Sequence, residues 1–208
     1  MTPYHKYVFN DGGTFVGDFE TMYSGEWLGG YDSWHQEDHR NLGRIISLGI
    51  LGRYNWDTVL DVGCGKGAFT HLLKKNNNRV VGVDVSSEAL RIASGKYADV
   101  NFQWADLNGN LDIPVLTRSY DLTVCMETLS YIKDWQQLLE KLFAVSSYVY
   151  LTLCLPKDKI NGFISDFTVF REAVEKHGII EDEVYLNKYN QLLLLSKVRE
   201  PLDAPKRY

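Results

Sequence analysis

The chain has 208 residues, about the length of one domain, and a net charge of −5. Its composition, 45% apolar and 24% charged residues, excludes a disordered or low-complexity protein. No stretch approaches the roughly 18 continuous apolar residues of a membrane span, and the first residues do not resemble a secretory signal. Three widely spaced cysteines make no disulfide framework, so we expect a cytoplasmic protein. The acidic balance disfavours binding to a long nucleic acid.

Residues 1–54 differ in composition from the rest and carry ten of the 27 aromatic residues. We expect them to form an aromatic-rich helical cap on a core of residues 55–208, within one overall domain. Asn10–Gly13 is a turn sequence of the kind that joins small hairpins. Ser33, with Gln36 three residues later, predicts the start of a helix. Five residues would form the apolar face of that helix: Leu42, Ile45, Ile46, Gly49 and Ile50.

Strand-length apolar runs alternate with helical patterns through the remainder of the chain. The runs are Thr58–Val62, Arg79–Asp84, Val100–Trp104, Tyr120–Met126 and Ser147–Leu155. Continuous apolar runs suit strands that are buried on both faces of a parallel sheet. Two late strands, Glu183–Leu186 and Gln191–Ser196, predict an antiparallel hairpin. The alternation therefore predicts an open α/β sheet flanked by helices.

The helical patterns between these runs have recognisable starts and apolar faces. Ser86 or Ser87 can cap the helix after the second strand, with Glu88 in its first turn. A helix before the fifth strand places an apolar residue at i, i+3, i+4 and i+7, as in Trp135, Leu138, Leu139 and Leu142.

The most informative segment is the glycine-rich turn Gly63-Cys64-Gly65-Lys66-Gly67, which follows a buried strand and opens a helix. Glycines allow a sharp turn and a close approach of a ligand to the backbone, and the following helix start attracts negative groups. The spacing differs from the dinucleotide fingerprint G-x-G-x-x-G. We expect Cys64 to be a small residue of a tight loop, and Lys66 to be a solvated one.

Acidic residues stand at the carboxyl ends of three successive strands, where open α/β sheets bind ligands. Asp61 lies at the end of the first strand. Asp84 closes the second strand and is placed to accept hydrogen bonds from ribose hydroxyls. Asp106 follows the third, where it can accept from an adenine amine while Leu107 packs on the ring. Taken singly, Asp84 could instead cap a helix and Asp106 could be an ordinary loop acid.

Four successive segments, VLDVGCGKG, VVGVDVSSEAL, FQWADL and YDLTVCMETLSYIKD, resemble the motifs of class I S-adenosylmethionine (SAM)-dependent methyltransferases. The resemblance covers residues 55–200 and implies a Rossmann-like seven-stranded, mostly parallel sheet with an antiparallel last strand. It also implies that SAM is the cofactor and that Asp84 holds its ribose. The cofactor site implied in this way comprises Asp61, Gly63, Cys64, Gly65, Asp84, Val85, Asp106, Leu107 and Met126.

A hydroxyl acceptor needs a general base, whereas a neutral amine acceptor need not have one. The candidates are His35 of the cap, and Glu127 and Tyr131 after the fourth strand. Trp34, His39 and Arg40 would contact the substrate if the cap covers the cofactor, although Trp34 could instead anchor the cap on the sheet. His35 and His39 have the i, i+4 spacing of a metal pair, but Gln36 replaces the glutamate of the zinc-protease motif, so we predict no metal site.

Neither the acceptor motif of nucleic-acid amino-methylating enzymes nor a Pro-Cys nucleophile follows the fourth strand. We therefore predict transfer of a methyl group from SAM to a hydroxyl or amine of a small molecule, such as a sugar, a glycan intermediate or a secondary metabolite. Two other hypotheses stay open at this point: a non-catalytic SAM-binding protein and a nicotinamide-dependent dehydrogenase. We expect a monomer or homodimer that binds neither nucleic acid nor membrane.

Overall fold

The computed structural model describes residues 4–11, 13–29, 31–38, 40–155 and 162–199. These contain a seven-stranded sheet of order β3-β2-β1-β4-β5-β7-β6. Strands β1 to β5 pair in parallel, and β7 runs antiparallel to both β5 and β6. The strands are β1 Thr58–Val62, β2 Arg79–Asp84, β3 Asn101–Trp104, β4 Tyr120–Met126, β5 Ser146–Cys154, β6 Gly178–Leu186 and β7 Gln191–Val198. The predicted mostly parallel sheet with an antiparallel last strand is confirmed.

Helices cover both faces of the sheet, as the continuous apolar strands require. Val59, Leu60 and Val62 of β1 are completely buried, so this strand has no solvent-facing side. The helices are α1 His5–Val8, α2 Phe19–Gly29, α3 Leu42–Leu51, α4 Ala68–Leu73, α5 Ser87–Lys96, α6 Trp135–Ala144 and α7 Phe167–His177. None of the helices among the described residues is long and apolar enough to cross a membrane.

Two of the predicted helix features are confirmed at the level of individual contacts. Ser86 caps α5, because its hydroxyl accepts a hydrogen bond from the Ala89 amide at 3.1 Å. The apolar stripe of α6 is buried, with Leu138, Leu139 and Leu142 completely inaccessible to solvent.

The predicted helix start at Ser33 is wrong. Ser33–His35 forms a single 3₁₀ turn, and α3 begins at Leu42, where the Asn41 side chain accepts from the Arg44 amide at 3.1 Å. The Asp32 carboxylate takes the place expected for Ser33, since it accepts the amides of Gln36 and Glu37 at 3.0 and 2.9 Å. A carboxylate that satisfies both amides stabilises the turn on its own, without a helix following it.

The predicted apolar face of α3 is confirmed only in part: Ile50 is buried and Ile46 packs on the core, but Leu42 and Ile45 are 43% and 51% exposed. The buried face also carries two small residues, Gly43 and Ser47. A Cβ atom on Gly43 would lie 2.5 Å from the end of the Gln191 side chain, so a larger residue there would require Gln191 to move.

The late hairpin is confirmed with longer strands than predicted. Strand β6 begins at Gly178, directly after α7, and not at Glu183. It is the edge strand of the sheet, and its residues alternate between partly buried and exposed. An edge strand needs no continuous apolar run, which is why its first half carries a weak sequence signal.

The N-terminal segment, residues 4–54 as far as they are described, forms a small aromatic cluster against the core. The turn at Asn10 is confirmed: Phe9 pairs with Phe15 in an antiparallel bridge, and the Asn10 side chain accepts from the Thr14 amide. Met22 and Tyr23 of α2 pack on Ala89 of α5 in this cluster. The division into residues 1–54 and 55–208 stays a prediction.

A buried hydrogen-bond relay fastens α3 to the middle of the sheet and generates a stability prediction. The Tyr150 hydroxyl donates to Ser47 Oγ at 2.7 Å, and Ser47 Oγ donates to the Gly43 carbonyl at 2.7 Å. Tyr150→Phe removes one hydrogen bond and should lower the free energy of unfolding by about 1 kcal/mol. Ser47→Ala leaves the buried tyrosine hydroxyl without its acceptor and should cost more, about 1–3 kcal/mol.

Thermal unfolding of the two variants measures this difference, since each kcal/mol lowers Tm by about 2–4 °C in a chain of this size. Ser94→Ala, at an exposed position of α5, is the matched control and should leave Tm unchanged. Equal losses for Ser47→Ala and Ser94→Ala would contradict the relay.

Candidate functional site

The glycine-rich loop between β1 and α4 has a backbone that only glycine adopts readily. Gly63, Gly65 and Gly67 have φ angles of +73°, +53° and +75°. The amides of Gly63 and Cys64 both donate to the Val83 carbonyl, which ties the loop to the end of β2. A Cβ atom at Gly63 would lie 2.0 Å from Thr128 Oγ1, so glycine is also required by the packing.

Asp61 lies on β1 directly before this loop and is buried. Its carboxylate accepts a hydrogen bond from Thr70 Oγ1 of α4 at 2.6 Å. Burial raises the pKa of Asp61 to about 7, and the nearby Asp84 adds to this rise. Asp61 is therefore an acid that gains or loses its proton close to neutral pH.

Asp84, the last residue of β2, holds the glycine loop in place. One carboxylate oxygen accepts the Gly65 amide at 2.8 Å, and the other accepts the Ser86 amide at 2.9 Å. Burial raises the pKa of Asp84. Each carboxylate oxygen has a second acceptor position, so Asp84 can still receive hydrogen bonds from a ligand.

A cavity of about 370 Å³ opens above the carboxyl ends of β1, β2 and β4. Its volume lies within the usual range for small-molecule sites. The structure brings most of the predicted site residues together around it: Trp34, Asp61, Gly63, Cys64, Asp84, Val85, Asp106, Leu107, Met126, Glu127 and Tyr131. Gly65 is predicted to line the site as well, but its outward face is covered by Gln36 and Tyr23.

Two of the predicted cap residues, His35 and Arg40, are not part of the cavity wall. His35 is exposed and is not part of the cavity wall. The Arg40 side chain is 93% exposed and pairs with Asp38. His39 lies outside the described residues. The structure thus gives no contact through which His35 or Arg40 would reach a ligand in the cavity.

Glu127 follows β4 and lies at the wall of the cavity with an unusual backbone. Its φ is +56°, which is rare for a residue other than glycine and is often found at functional sites. Its carboxylate accepts from Thr152 Oγ1, Gln191 Nε2 and the Cys154 amide at 2.8, 2.7 and 2.6 Å. Desolvation raises the pKa of Glu127, and these three donors oppose that rise.

Aromatic side chains form the opposite wall of the cavity. Tyr131 stacks on Phe15, with ring centroids 6.1 Å apart, and lies 5.8 Å from Phe19 and 5.5 Å from Trp34. We call these four residues the aromatic wall. Residues of the N-terminal segment, Trp34 among them, therefore form part of the cavity wall.

Sequence reasoning missed several residues of the cavity wall, among them Asn41, Arg44 and Gln191. Arg44 is the single Lys or Arg in the part of the wall that the structure describes. Burial lowers the pKa of the Arg44 guanidinium, and nearby acids limit that effect. The Arg44 guanidinium donates to the Gln36 carbonyl of the N-terminal turn, a contact that no local sequence pattern indicates.

Lys66 is predicted to be a solvated loop residue, and this prediction is wrong. Its side chain is 5% exposed and lies 2.7 Å from both Glu26 and Asp32. Burial alone would lower the pKa of Lys66, but its hydrogen bonds to the two carboxylates outweigh this and raise it. The partners lie more than 30 residues away in sequence, which is why no local pattern indicates them.

Comparison with known proteins gives a consistent family assignment for the core. Residues 59–147 match the family model of a methyltransferase domain. The chain is 32% identical over 94 residues to the ubiquinone biosynthesis O-methyltransferase of Coxiella burnetii, covering 42% of this chain and 38% of that protein. It is 31% identical over 113 residues to the juvenile hormone acid O-methyltransferase of Bombyx mori, covering 51% and 38%. The chain thus spans less than two fifths of the length of these curated relatives.

A solved structure shares the fold over nearly the whole chain. The magnesium protoporphyrin IX methyltransferase of Synechocystis PCC 6803, solved with bound S-adenosylhomocysteine (SAH), superposes with a TM-score of 0.61 at 15% identity. The match covers 94% of this chain and 93% of that protein. This superposition shows that the two chains share a fold. The match of residues 59–147 to the family model of a methyltransferase domain agrees with the class I SAM-dependent methyltransferase motifs found in the sequence.

Proposed function

We propose that this chain transfers the methyl group of SAM to a hydroxyl group of a small molecule, with an amine as the alternative acceptor. One observation carries the proposal. Three carboxylates from successive strand ends, Asp61, Asp84 and Asp106, line a single cavity together with Gly63 and the aromatic wall. Such a cavity has one end suited to a polar, nucleoside-containing cofactor and another suited to an apolar acceptor.

The residues of the cavity fit the parts of SAM. Asp84 would accept from the ribose hydroxyls, and Asp106 from the adenine amine, while Leu107 packs on the ring. Asp61 and the Gly63 backbone would face the methionine ammonium, and Arg44, the cation of the wall, would bind its carboxylate. Bound SAM supplies an electrophilic methyl group on its sulfonium, so the protein needs mainly to align the acceptor.

The aromatic wall supports a flat, largely apolar acceptor more than a free sugar. Phe15, Phe19, Trp34 and Tyr131 present ring faces and edges, whereas a sugar needs many hydrogen-bond partners. The names of the two curated relatives, both O-methyltransferases, support a hydroxyl or carboxyl oxygen as the methylated atom.

Glu127 is our candidate for the group that receives the acceptor's proton. It lines the cavity, and desolvation raises its pKa, which makes its carboxylate a better base. Tyr131 lies beside it and would orient the acceptor. We do not assign this role to His35, because its exposed side chain lies away from the cavity wall.

Calorimetric titration with SAH and, separately, with NAD tests the cofactor. We expect micromolar binding of SAH, of the order of 8 kcal/mol, and no binding of NAD. A mass-spectrometric screen for SAH release should then compare phenols, carboxylic acids, sugars and amines as acceptors. Binding of NAD without SAH would favour the dehydrogenase hypothesis, and SAH binding with no transfer to any acceptor would favour a non-catalytic protein.

The ribose assignment predicts a specific loss of cofactor affinity. Asp84→Ala should weaken SAH binding by about 1.5–3 kcal/mol, roughly 10- to 150-fold, because hydrogen bonds to a charged acceptor are lost. Asp112→Ala, which alters an aspartate that is 82% exposed, is the matched control and should bind SAH as the wild type does. Calorimetry on both variants, with Tm as a check on folding, measures the effect. Wild-type affinity in Asp84→Ala would rule out the ribose contact.

The pKa of Asp61, about 7, predicts pH-dependent binding. Below that pH the carboxyl is protonated and cannot balance the methionine ammonium; above it the carboxylate can. We expect SAH affinity to rise between about pH 6 and pH 8, and Asp61→Asn to remove this rise. The amino group of SAH titrates at higher pH and equally for both proteins, so the difference between their pH profiles isolates Asp61.

The same shift affects the stability of the free protein. The folded state holds the Asp61 proton more tightly than the unfolded state does, so this group lowers the free energy of unfolding as pH rises from about 4 to 7. Urea unfolding across this window should show a smaller decline for Asp61→Asn. Parallel declines in the two proteins would show that Asp61 titrates normally.

Several further predictions remain as they stand. A small-molecule acceptor, the absence of a nucleic-acid partner, a monomeric or homodimeric state and a cytoplasmic location are part of this proposal. The acidic net charge supports the absence of a nucleic-acid partner, since it opposes binding to a phosphate backbone.

A further inference from the structure

A cluster of three charged side chains, two of them buried, joins the glycine loop to the N-terminal segment. Lys66 Nζ lies 2.7 Å from Glu26 Oε2 and 2.7 Å from Asp32 Oδ1. The Lys66 and Glu26 side chains are only 5% and 6% exposed, so this contact is shielded from water and salt. We call these residues the Lys66 triad.

A second set of contacts beside the triad is equally close. The Lys66 amide donates to Gln36 Oε1 at 2.9 Å, and Gln36 Nε2 donates to the Tyr23 hydroxyl at 2.8 Å. A Cβ atom on Gly65 would lie 2.6 Å from the Gln36 side chain. The N-terminal segment is therefore in direct contact with the backbone of the glycine loop, which we call the cofactor loop from here on, because the proposed function places SAM beside it.

The two acids of the triad also shape the turn that carries Trp34. Glu26 accepts the Ser33 amide, and Asp32 accepts the amides of Gln36 and Glu37. Between these anchored amides, Trp34 has a φ of +60° and faces the cavity. A continuous set of contacts therefore leads from the cofactor loop, through the Lys66 triad, to one member of the aromatic wall.

The charges of the Lys66 triad make the contact between the loop and the turn sensitive to the loss of Lys66. The triad holds one positive and two negative groups, so removal of Lys66 leaves two acids without their counter-ion, one of them buried. An unpaired buried charge is strongly unfavourable, so Glu26 would either take up a proton, which weakens its hold on the Ser33 amide, or move with the turn toward water. Lys96 and Glu37 form another link between core and turn, but this pair is 47% and 39% exposed and should contribute little.

We propose that Lys66 is a positioning residue that couples the cofactor loop to the acceptor side of the cavity. It does so by fixing, through Glu26 and Asp32, the turn that places Trp34 in the aromatic wall. Cofactor binding to the loop would thereby order the aromatic wall as well. This inference rests on the proposed function, since it assumes that the loop binds SAM.

Amide hydrogen exchange with and without SAH tests the coupling. In the wild type, SAH should slow exchange both in the glycine loop and in the turn of residues 31–38, where the Gln36 and Glu37 amides report on Asp32 directly. We expect about tenfold slowing in the turn, within the usual range for coupled sites. In Lys66→Met the loop should still be protected by SAH, but the turn should lose this response.

Lys96→Met is the matched control, because it also removes a lysine that links the core to the same turn. It should respond to SAH as the wild type does. Lys66→Arg, which keeps the charge, should restore part of the response. The measured quantity is the change in exchange rate caused by SAH. A protein that is loosened everywhere would exchange faster throughout, but it would not lose the SAH response in the turn alone.

The outcomes separate this inference from the proposed function. A full SAH response of the turn in Lys66→Met overturns the coupling while SAM binding stands. If SAH protects neither region of the wild type, the cofactor assignment and the coupling fall together.

A second variant decides the matter should Lys66→Met not fold or not bind SAH. Glu26→Gln removes one negative charge of the triad, while the introduced amide oxygen can still accept the Ser33 amide. A partial loss of the turn's response to SAH in this variant supports the coupling, and an unchanged response overturns it.

Discussion

The close packing around the glycine loop is the constraint on which the site depends. Gly63 and Gly65 have positive φ angles, and side chains from other parts of the chain fill the space that their own would occupy. Thr128 reaches Gly63 from the segment after β4, and Gln36 reaches Gly65 from the N-terminal segment. The loop is thus in contact with both the sheet and the segment that covers it.

Burial, more than ion pairing, determines the pKa values of the carboxylates beside the loop. Asp61 and Asp84 are buried next to each other, held mainly by a threonine hydroxyl and by backbone amides. Burial raises the pKa of both, so ionised carboxylates there are unfavourable without a ligand. A cofactor that brings a positive charge and hydroxyl donors into this space would relieve that cost, which explains why acids are tolerated in a buried position.

The N-terminal segment completes the cavity by two different kinds of contact. Its phenylalanines and Trp34 pack on Tyr131 through apolar ring contacts, which are tolerant of small shifts. Its acids, Glu26 and Asp32, form ion pairs with Lys66 at 2.7 Å, and the pair with Glu26 is shielded from water. Ion pairs of this length do not tolerate such shifts. The first kind forms one wall of the cavity, and the second joins the segment to the glycine loop.

Much of the fold and of the cofactor side could be predicted from sequence, because both depend on short-range patterns. Buried parallel strands require continuous apolar runs, and a tight turn before a helix requires glycines, so β1, β2 and β4 and the loop at residues 63–67 are visible in the chain itself. Asp61, Asp84 and Asp106 follow, since each stands at the end of a predicted strand. The edge strand β6 was recognised only in its second half, because its solvent-facing positions need not be apolar.

The acceptor side and the role of Lys66 were decided only by tertiary structure. Gly43 and Ser47 share the buried face of α3 with Ile50, so that face is only partly the apolar one, and Arg44 of the same helix lines the cavity. Asp32, and not Ser33, organised the turn that holds Trp34 and leaves His35 exposed. Lys66 forms ion pairs with Glu26 and Asp32, which lie more than 30 residues earlier in the chain. Local patterns report which backbone a segment prefers, whereas the partner of a buried charge depends on which distant segment is folded against it.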